Sequence, residues 1–229
     1  MKKILYLLLI GFAFLQSCSK SKDDNSDSSG LSQDIKNFVP ETVIDSMRSW
    51  GFNINEGKTP PAINGVYSLS KNYCTFDNSG FDEADTYFAD YHYKFQDQDN
   101  SKLTINLNYK VVNSTGSDTA SGTGSFISGT GNDFTVFTDV KGLSEGVTYE
   151  WITFCSGTVT DNGIQNFQFG LYVKDKGPDP NNALINIGSA RIFKDDDGLA
   201  EKIPDYRIGK DLGAPGRSSS SSPVMGTRN

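Results

Sequence analysis

From Ile63 to Phe193 the chain alternates between apolar and polar residues with a period of two. The cleanest stretch is Lys102 to Val111, where Leu103, Ile105, Leu107, Tyr109 and Val111 alternate with Thr104, Asn106, Asn108 and Lys110. Strict alternation over such a length predicts a half-buried strand. Further strands are predicted at Ile63–Ser70, Thr86–Phe95, Gly122–Ser128, Asp133–Val140, Val147–Thr158, Ile164–Val173 and Ala183–Phe193. Turns such as Gly131-Asn132-Asp133 and Asp161-Asn162-Gly163 join them as hairpins. The pattern predicts an all-β fold, an eight-stranded antiparallel meander barrel, with a two-sheet β-sandwich as the alternative. Ahead of the strands, Val43, Met47 and Trp50 recur at helical spacing within Asn37–Phe52, with Pro40 placed at the first helical position and Gly51 as the stop. This predicts one short N-terminal helix. After Phe193 the pattern dissolves into Asp195-Asp196-Asp197-Gly198 and a serine run at Ser218–Ser222, which reads as a disordered tail.

The amino terminus follows a different pattern. Lys2 and Lys3 precede an apolar run, Ile4 to Leu15, that is too short to span a bilayer and suits a secretory signal. Ser19 to Gly30 contains no apolar residue and cannot bury enough surface to order itself. The expected organisation is a signal over 1–17, a flexible tether over 18–36, a helix and Pro-rich connector over 37–62, the β domain over 63–194 and an irregular tail over 195–229.

Leu15-Gln16-Ser17-Cys18 resembles the lipobox of bacterial lipoproteins. The resemblance implies cleavage before Cys18, a diacylglyceryl group on its thiol and acylation of the new amino terminus. Two or more acyl chains make membrane attachment lasting, where one chain does not. Lys22-Asp23-Asp24, close behind, is similar to the acidic export tags of surface-displayed lipoproteins of some Gram-negative bacteria. The implied address is the outer membrane, lipid-anchored and facing the cell surface, with the periplasmic face as the alternative. The implied partner is the lipid bilayer, reached through Cys18.

Export changes the reading of the two remaining cysteines. Cys74 and Cys155 form an even pair in an exported chain, which predicts a disulfide. Closing a loop of about 80 residues would stabilise by roughly 4–5 kcal/mol. The net charge of -7 disfavours nucleic acid as a partner, since that requires basic patches.

Gly65-Val66-Tyr67, opening the first strand after a short helix, is similar to the G-x-W entry of lipocalins and their calycin relatives. Tyr67 stands where that family has Trp. In the family an Arg on the closing strand covers the Trp, and Arg191 on the last predicted strand is its counterpart, expected over Tyr67 as a cation–π contact. The resemblance implies a lipocalin-like barrel. The whole arrangement also resembles uncharacterised lipoproteins of Gram-negative bacteria.

Catalytic motifs are missing from the sequence. His92 is the one histidine, and it falls on the polar face of its strand, too few for a zinc site of several imidazoles. There is no phosphate loop, C-x-x-C, H-E-x-x-H or G-x-S-x-G. Acidic groups at Asp77–Asp85, Asp97 and Asp99, Asp175 and Asp179, and Asp195–Asp197 read as solvated turns rather than calcium loops. Tyr67, Tyr87, Tyr91, Tyr93 and Arg191 are the candidate ligand contacts, with Tyr87, Tyr91 and Tyr93 on one face of their strand. Asp118-Thr119-Ala120 and Asp45-Ser46-Met47 look like the sites of a bacterial O-glycosylation system, which would place glycans on Thr119, in a surface loop, and on Ser46. The expected function is a non-catalytic binding module for a small apolar molecule or glycan, without cofactor. The alternative is an accessory subunit of an envelope complex, and a hydrolase is the third reading.

Overall fold

The computed structural model describes residues 30–81, 83–204 and 222–228. Cys18, the signal and most of the tether lie outside these residues. The elements are helices α1 (Gln33–Phe38) and α2 (Glu41–Ser49), and strands β1 (Lys58–Thr59), β2 (Gly65–Leu69), β3 (Asn72–Asp77), β4 (Tyr87–Phe88), β5 (Asp90–Asp99), β6 (Thr104–Val112), β7 (Asp118–Thr130), β8 (Asp133–Ser144), β9 (Val147–Thr160), β10 (Gly163–Lys176), β11 (Ala190–Asp195) and β12 (Leu199–Ile203).

All twelve strands belong to one sheet, not the two of a sandwich. From β5 to β10 each strand pairs antiparallel with the next. β2 pairs with β5, and β12 pairs with both β2 and β10, so the strands form a ring. Three of the paths round this ring are bent. β2 and β3 continue one another across Ser70 and Lys71, β4 and β5 across Ala89, and β11 and β12 across Asp196–Gly198. The pairing carries through each bend, with a shift of register at β11 and β12. β11 pairs with β10 and β3 as β12 pairs with β10 and β2.

The interior of the ring is filled. Tyr91, Tyr93 and Phe95 from β5, Tyr109 from β6, Phe134 from β8, Trp151 from β9 and Phe167 and Phe169 from β10 are all buried there. Tyr93 meets the rings of Phe167 and Phe169 at 5.1 and 5.2 Å between centroids. The outward face is also buried over part of the ring, which explains the continuous apolar run Trp151-Ile152-Thr153-Phe154-Cys155. A strand covered on both faces has no reason to alternate. Phe137, Ile152, Phe154 and Ile192 point out of the ring and meet Ile35, Val39, Val43, Ile44 and Met47 of the helical segment.

That segment is two helices, not one over Asn37–Phe52. Ser32 caps α1, its Oγ accepting from Ile35 N at 3.3 Å. α1 ends because Pro40 forces the residue before it out of the helical region, and Val39 is extended. Pro40 is itself the N-cap of α2, and Gly51, at φ +93, closes it. α1 begins inside the stretch expected as tether, and its Ile35 is fully buried. Both helices pack on the outside of the ring and neither plugs it.

Four other expectations are corrected. Cys74 and Cys155 are free, buried thiols. Cys155 stands opposite Phe169, Phe169 opposite Phe193, and Phe193 opposite Cys74. Three strand spacings, about 14 Å along the sheet, separate cysteines whose Cα atoms would have to lie within about 7 Å to be bridged. The tail is not irregular throughout: Leu199–Ile203 is β12, and Val224 and Met225 are buried in the core. Tyr87 points outward, half exposed, because the irregularity at Ala89 shifts the inward–outward phase and sends Phe88 inside. Arg191 lies over Phe88 at 5.2 Å and not over Tyr67, whose neighbours in register are Lys202 and Tyr93.

Burial pushes the Cys74 thiol up to about 12 and Cys155 well above its ordinary value, so neither is a nucleophile at neutral pH. Alkylation without reductant is therefore expected to label neither thiol in the native protein and both in denaturant. A mass that shifts by two hydrogens on reduction would restore the bridge.

Candidate functional site

One end of the ring gathers a network of buried polar side chains. Asp118 opens β7 on the inward side, between exposed Ser117 and exposed Thr119. Its Oδ2 accepts from Tyr91 Oη at 2.7 Å and its Oδ1 from Tyr149 Oη at 2.6 Å. Tyr149 and Tyr109 hydroxyls are 2.9 Å apart. The register explains why these rings fit. Tyr93, Tyr109, Ala120, Gly142 and Tyr149 stand in one row across five strands. Two small residues in the middle let the flanking tyrosines lean together; a Cβ on Gly142 would lie 2.2 Å from Tyr149 Cζ. Trp151 then stacks on Tyr149 at 3.7 Å.

Arg191 is the second buried charge at this end. Its Nη2 lies 3.3 Å from Asp77 Oδ2, and both side chains are fully buried. Asp77 is thus no solvated turn residue. Burial opposes its charge, but hydrogen bonds from Ser79 and the Arg191 guanidinium outweigh it and hold the carboxyl below its ordinary range. Arg191 Nη1 donates to Met225 O at 3.0 Å and to Thr227 O at 2.7 Å. Met225 N donates to Tyr91 Oη at 3.1 Å, and Tyr93 Oη donates to Met225 Sδ at 3.6 Å. The structure therefore brings Tyr91, Tyr93 and Arg191 together around residues 225–227, whereas the sequence had paired Arg191 with Tyr67. Tyr67 and Tyr87 take no part.

A separate open cleft of about 600 Å³ lies on the outside of the ring, where β10 bulges between Gln165 and Gln168 and where β11 breaks from β12. Asn53, Asn55, Asp133, Ser156, Asn166 and Asp196 are among its lining residues. Ser156 is buried there and its Oγ has no hydrogen-bond partner. Asn166 sits at φ +51, a conformation Asn tolerates, with its side chain exposed. Asp195 borders the cleft, and burial, followed by the Asp197 carboxylate, pushes its carboxyl up to about 8.

The remaining candidates are scattered. His92 is half-buried on β5. Thr119 is exposed, but on a regular strand paired on both sides and not in a loop; it borders a shallow outer groove of about 390 Å³ with Leu143. Ser46 is half-buried in α2. Among the described residues no three His, Cys, Asp or Glu side chains are placed to hold a metal, and no helix is long and apolar enough to cross a membrane. Reading the sequence missed Asp118 as a buried group, although its inward parity with Ala120 was a signal. It missed Met225, whose only signal was an apolar pair in a Ser- and Gly-rich stretch. No protein-family model matches the chain, and comparison with curated proteins and with solved structures gives no match either.

Burial raises the Asp118 carboxyl to about 7, against the lowering effect of the Tyr149 and Tyr91 hydrogen bonds. Between its ordinary value near 3.8 and about 7 the folded chain binds the proton that the unfolded chain releases. Stability therefore falls as pH rises through that window, by roughly 4 kcal/mol at most. Asp118→Asn, which keeps the shape and cannot ionise, is expected to gain on the native protein between pH 4.5 and pH 8 in paired urea melts. A difference that does not change with pH would mean an ordinary carboxyl.

Proposed function

We propose that the chain is a lipid-anchored envelope lipoprotein whose described residues form an eight-stranded, lipocalin-like meander barrel and act as a non-catalytic binding module for a glycan or similar polyhydroxyl ligand. The barrel reading is supported by the pairing, since the bent strands count as one path each and the last path pairs with the first. The anchor rests on Leu15-Gln16-Ser17-Cys18.

One observation carries the choice of ligand. The interior is occupied by aromatic side chains and by Met225, whereas the outer cleft of about 600 Å³ is lined by amides, hydroxyls and carboxylates. Small-molecule sites commonly have volumes of a few hundred Å³ and are mostly apolar. A polar cleft of this size suits a ligand that itself carries many hydroxyls, because each buried donor or acceptor needs a partner. Asn53 and Asn166 present exposed amides to the cleft. The accessory-subunit reading draws on Phe81, Tyr87, Leu143 and Ile187, the exposed large apolar side chains among the described residues, which lie on four separate segments rather than on one broad apolar strand face.

Two measurements test the two halves of this reading. Intact mass of the protein extracted from its native membrane is expected to show acyl chains that the Cys18→Ala form lacks; a mass without them removes the address. Titration of oligosaccharides into the mature chain is expected to give saturable binding, weakened tenfold or more by Asn53→Ala with Asn166→Gly. Glycine accepts the φ of Asn166, so the pair removes polar groups without strain. Equal binding by the variant, or none by the native chain, would remove the cleft as the site.

A further inference from the structure

The carboxy-terminal residues meet the ring as a bound peptide does. Pro223 O accepts from Ala89 N at 2.9 Å, Gly226 O from Ile185 N at 3.0 Å, and Arg228 N donates to Ala183 O at 2.9 Å. With the Met225 N–H to Tyr91 and the two carbonyls held by Arg191, every one of these bonds uses the segment's main chain. Thr227 and Leu184 form an antiparallel bridge. Side chains also make contact: Val224 is buried in the core and the Arg228 guanidinium lies over Phe81 at 4.8 Å, but two points are the most restrictive. Met225 is fully buried, its sulfur against Tyr93 Oη. Gly226 passes so close to Trp151 that a Cβ would lie 2.1 Å from the ring.

The receiving groups are built in advance. Arg191 is oriented by Asp77 and Tyr91 by Asp118, and all four side chains are buried. Orientation by packing and by a second set of hydrogen bonds is what a recognition site requires. Strand-like peptide capture works the same way: main-chain bonds supply affinity, and a pocket for one side chain supplies specificity.

We propose that this end of the ring is a binding site for an extended peptide segment with a long, flexible apolar side chain followed by glycine, and that residues Pro223–Arg228 occupy it in cis as a built-in competitor. The cis segment has the advantage of connection, because a ligand joined to its site acts at an effective concentration on the order of millimolar. A free peptide gains access only when the cis segment is removed or displaced. This reading does not depend on the outer cleft, which lies apart from these residues.

The test uses a fluorescein-labelled peptide with the sequence of residues 221–229 and fluorescence anisotropy. Three forms of the mature chain are compared: native, ended after residue 221, and Gly226→Leu, whose side chain collides with Trp151 and should expel the cis segment. Binding to the shortened and Gly226→Leu chains is expected at micromolar peptide, at least tenfold tighter than to the native chain. Replacing the residue equivalent to Met225 by Asp in the peptide is expected to abolish it. Thermal melts followed by circular dichroism report whether each form is folded. A folded variant that fails to bind the peptide overturns the proposal, as does a native chain that binds it equally well. If neither variant folds, the segment is an integral part of the core and the proposal also fails.

Discussion

The fold depends on one bent strand path making two sets of hydrogen bonds. β11 and β12 together run along β10 on one side and along β3 and β2 on the other. Without that double pairing the sheet has two open edges, and unpaired edges invite other chains. With it, the pairing runs round from β2 through β5–β10 and β12 back to β2, and the inward face is removed from water. The bends let a single path serve both ends of the ring, and the acidic turn Asp195–Gly198 is where this path changes direction.

Closing a ring around aromatic side chains leaves few places for charge. The two that exist at the carboxy-terminal end are handled in opposite ways. Arg191 and Asp77 are paired, and the remaining guanidinium protons find carbonyls of Met225 and Thr227. A buried pair repays its desolvation only with such additional bonds. Asp118 has no cation. It has two tyrosine hydroxyls, enough to satisfy its oxygens as hydrogen-bond acceptors but not enough to keep it fully ionised at neutral pH. Neutralisation is the cheaper answer to burial when no opposite charge is at hand.

Much of this architecture is legible in the residues, and the failures are physical. Strands such as Thr104–Val112 are visible because one face is wet and the other dry. β3 and β12 were missed because they are five or six residues long and owe their state to neighbours far away in the chain. The phase of Tyr87 was misjudged because alternation carries no warning of an irregularity at Ala89. The cysteine pairing failed because parity of number says nothing of distance, and here two phenylalanines stand between the thiols. Tyr91, Tyr93 and Arg191 were offered, with Tyr67 and Tyr87, as contacts for an outside ligand. What they hold was hidden, since six residues with a main-chain role leave almost no trace in a side-chain pattern.

The pairing of β12 with β2 also sets the order of events in time. Lys202 stands opposite Tyr67, so the last closure joins positions about 135 residues apart, a contact of the slow, non-local kind. A chain growing from its amino terminus can form the hairpins from β5 to β10 early, but it cannot close the ring until β12 is free. Until then it remains an open, curved sheet with its aromatic face uncovered. This postpones the compact state until β12 has paired with β2. It also makes the interval before closure the time of greatest exposure to aggregation.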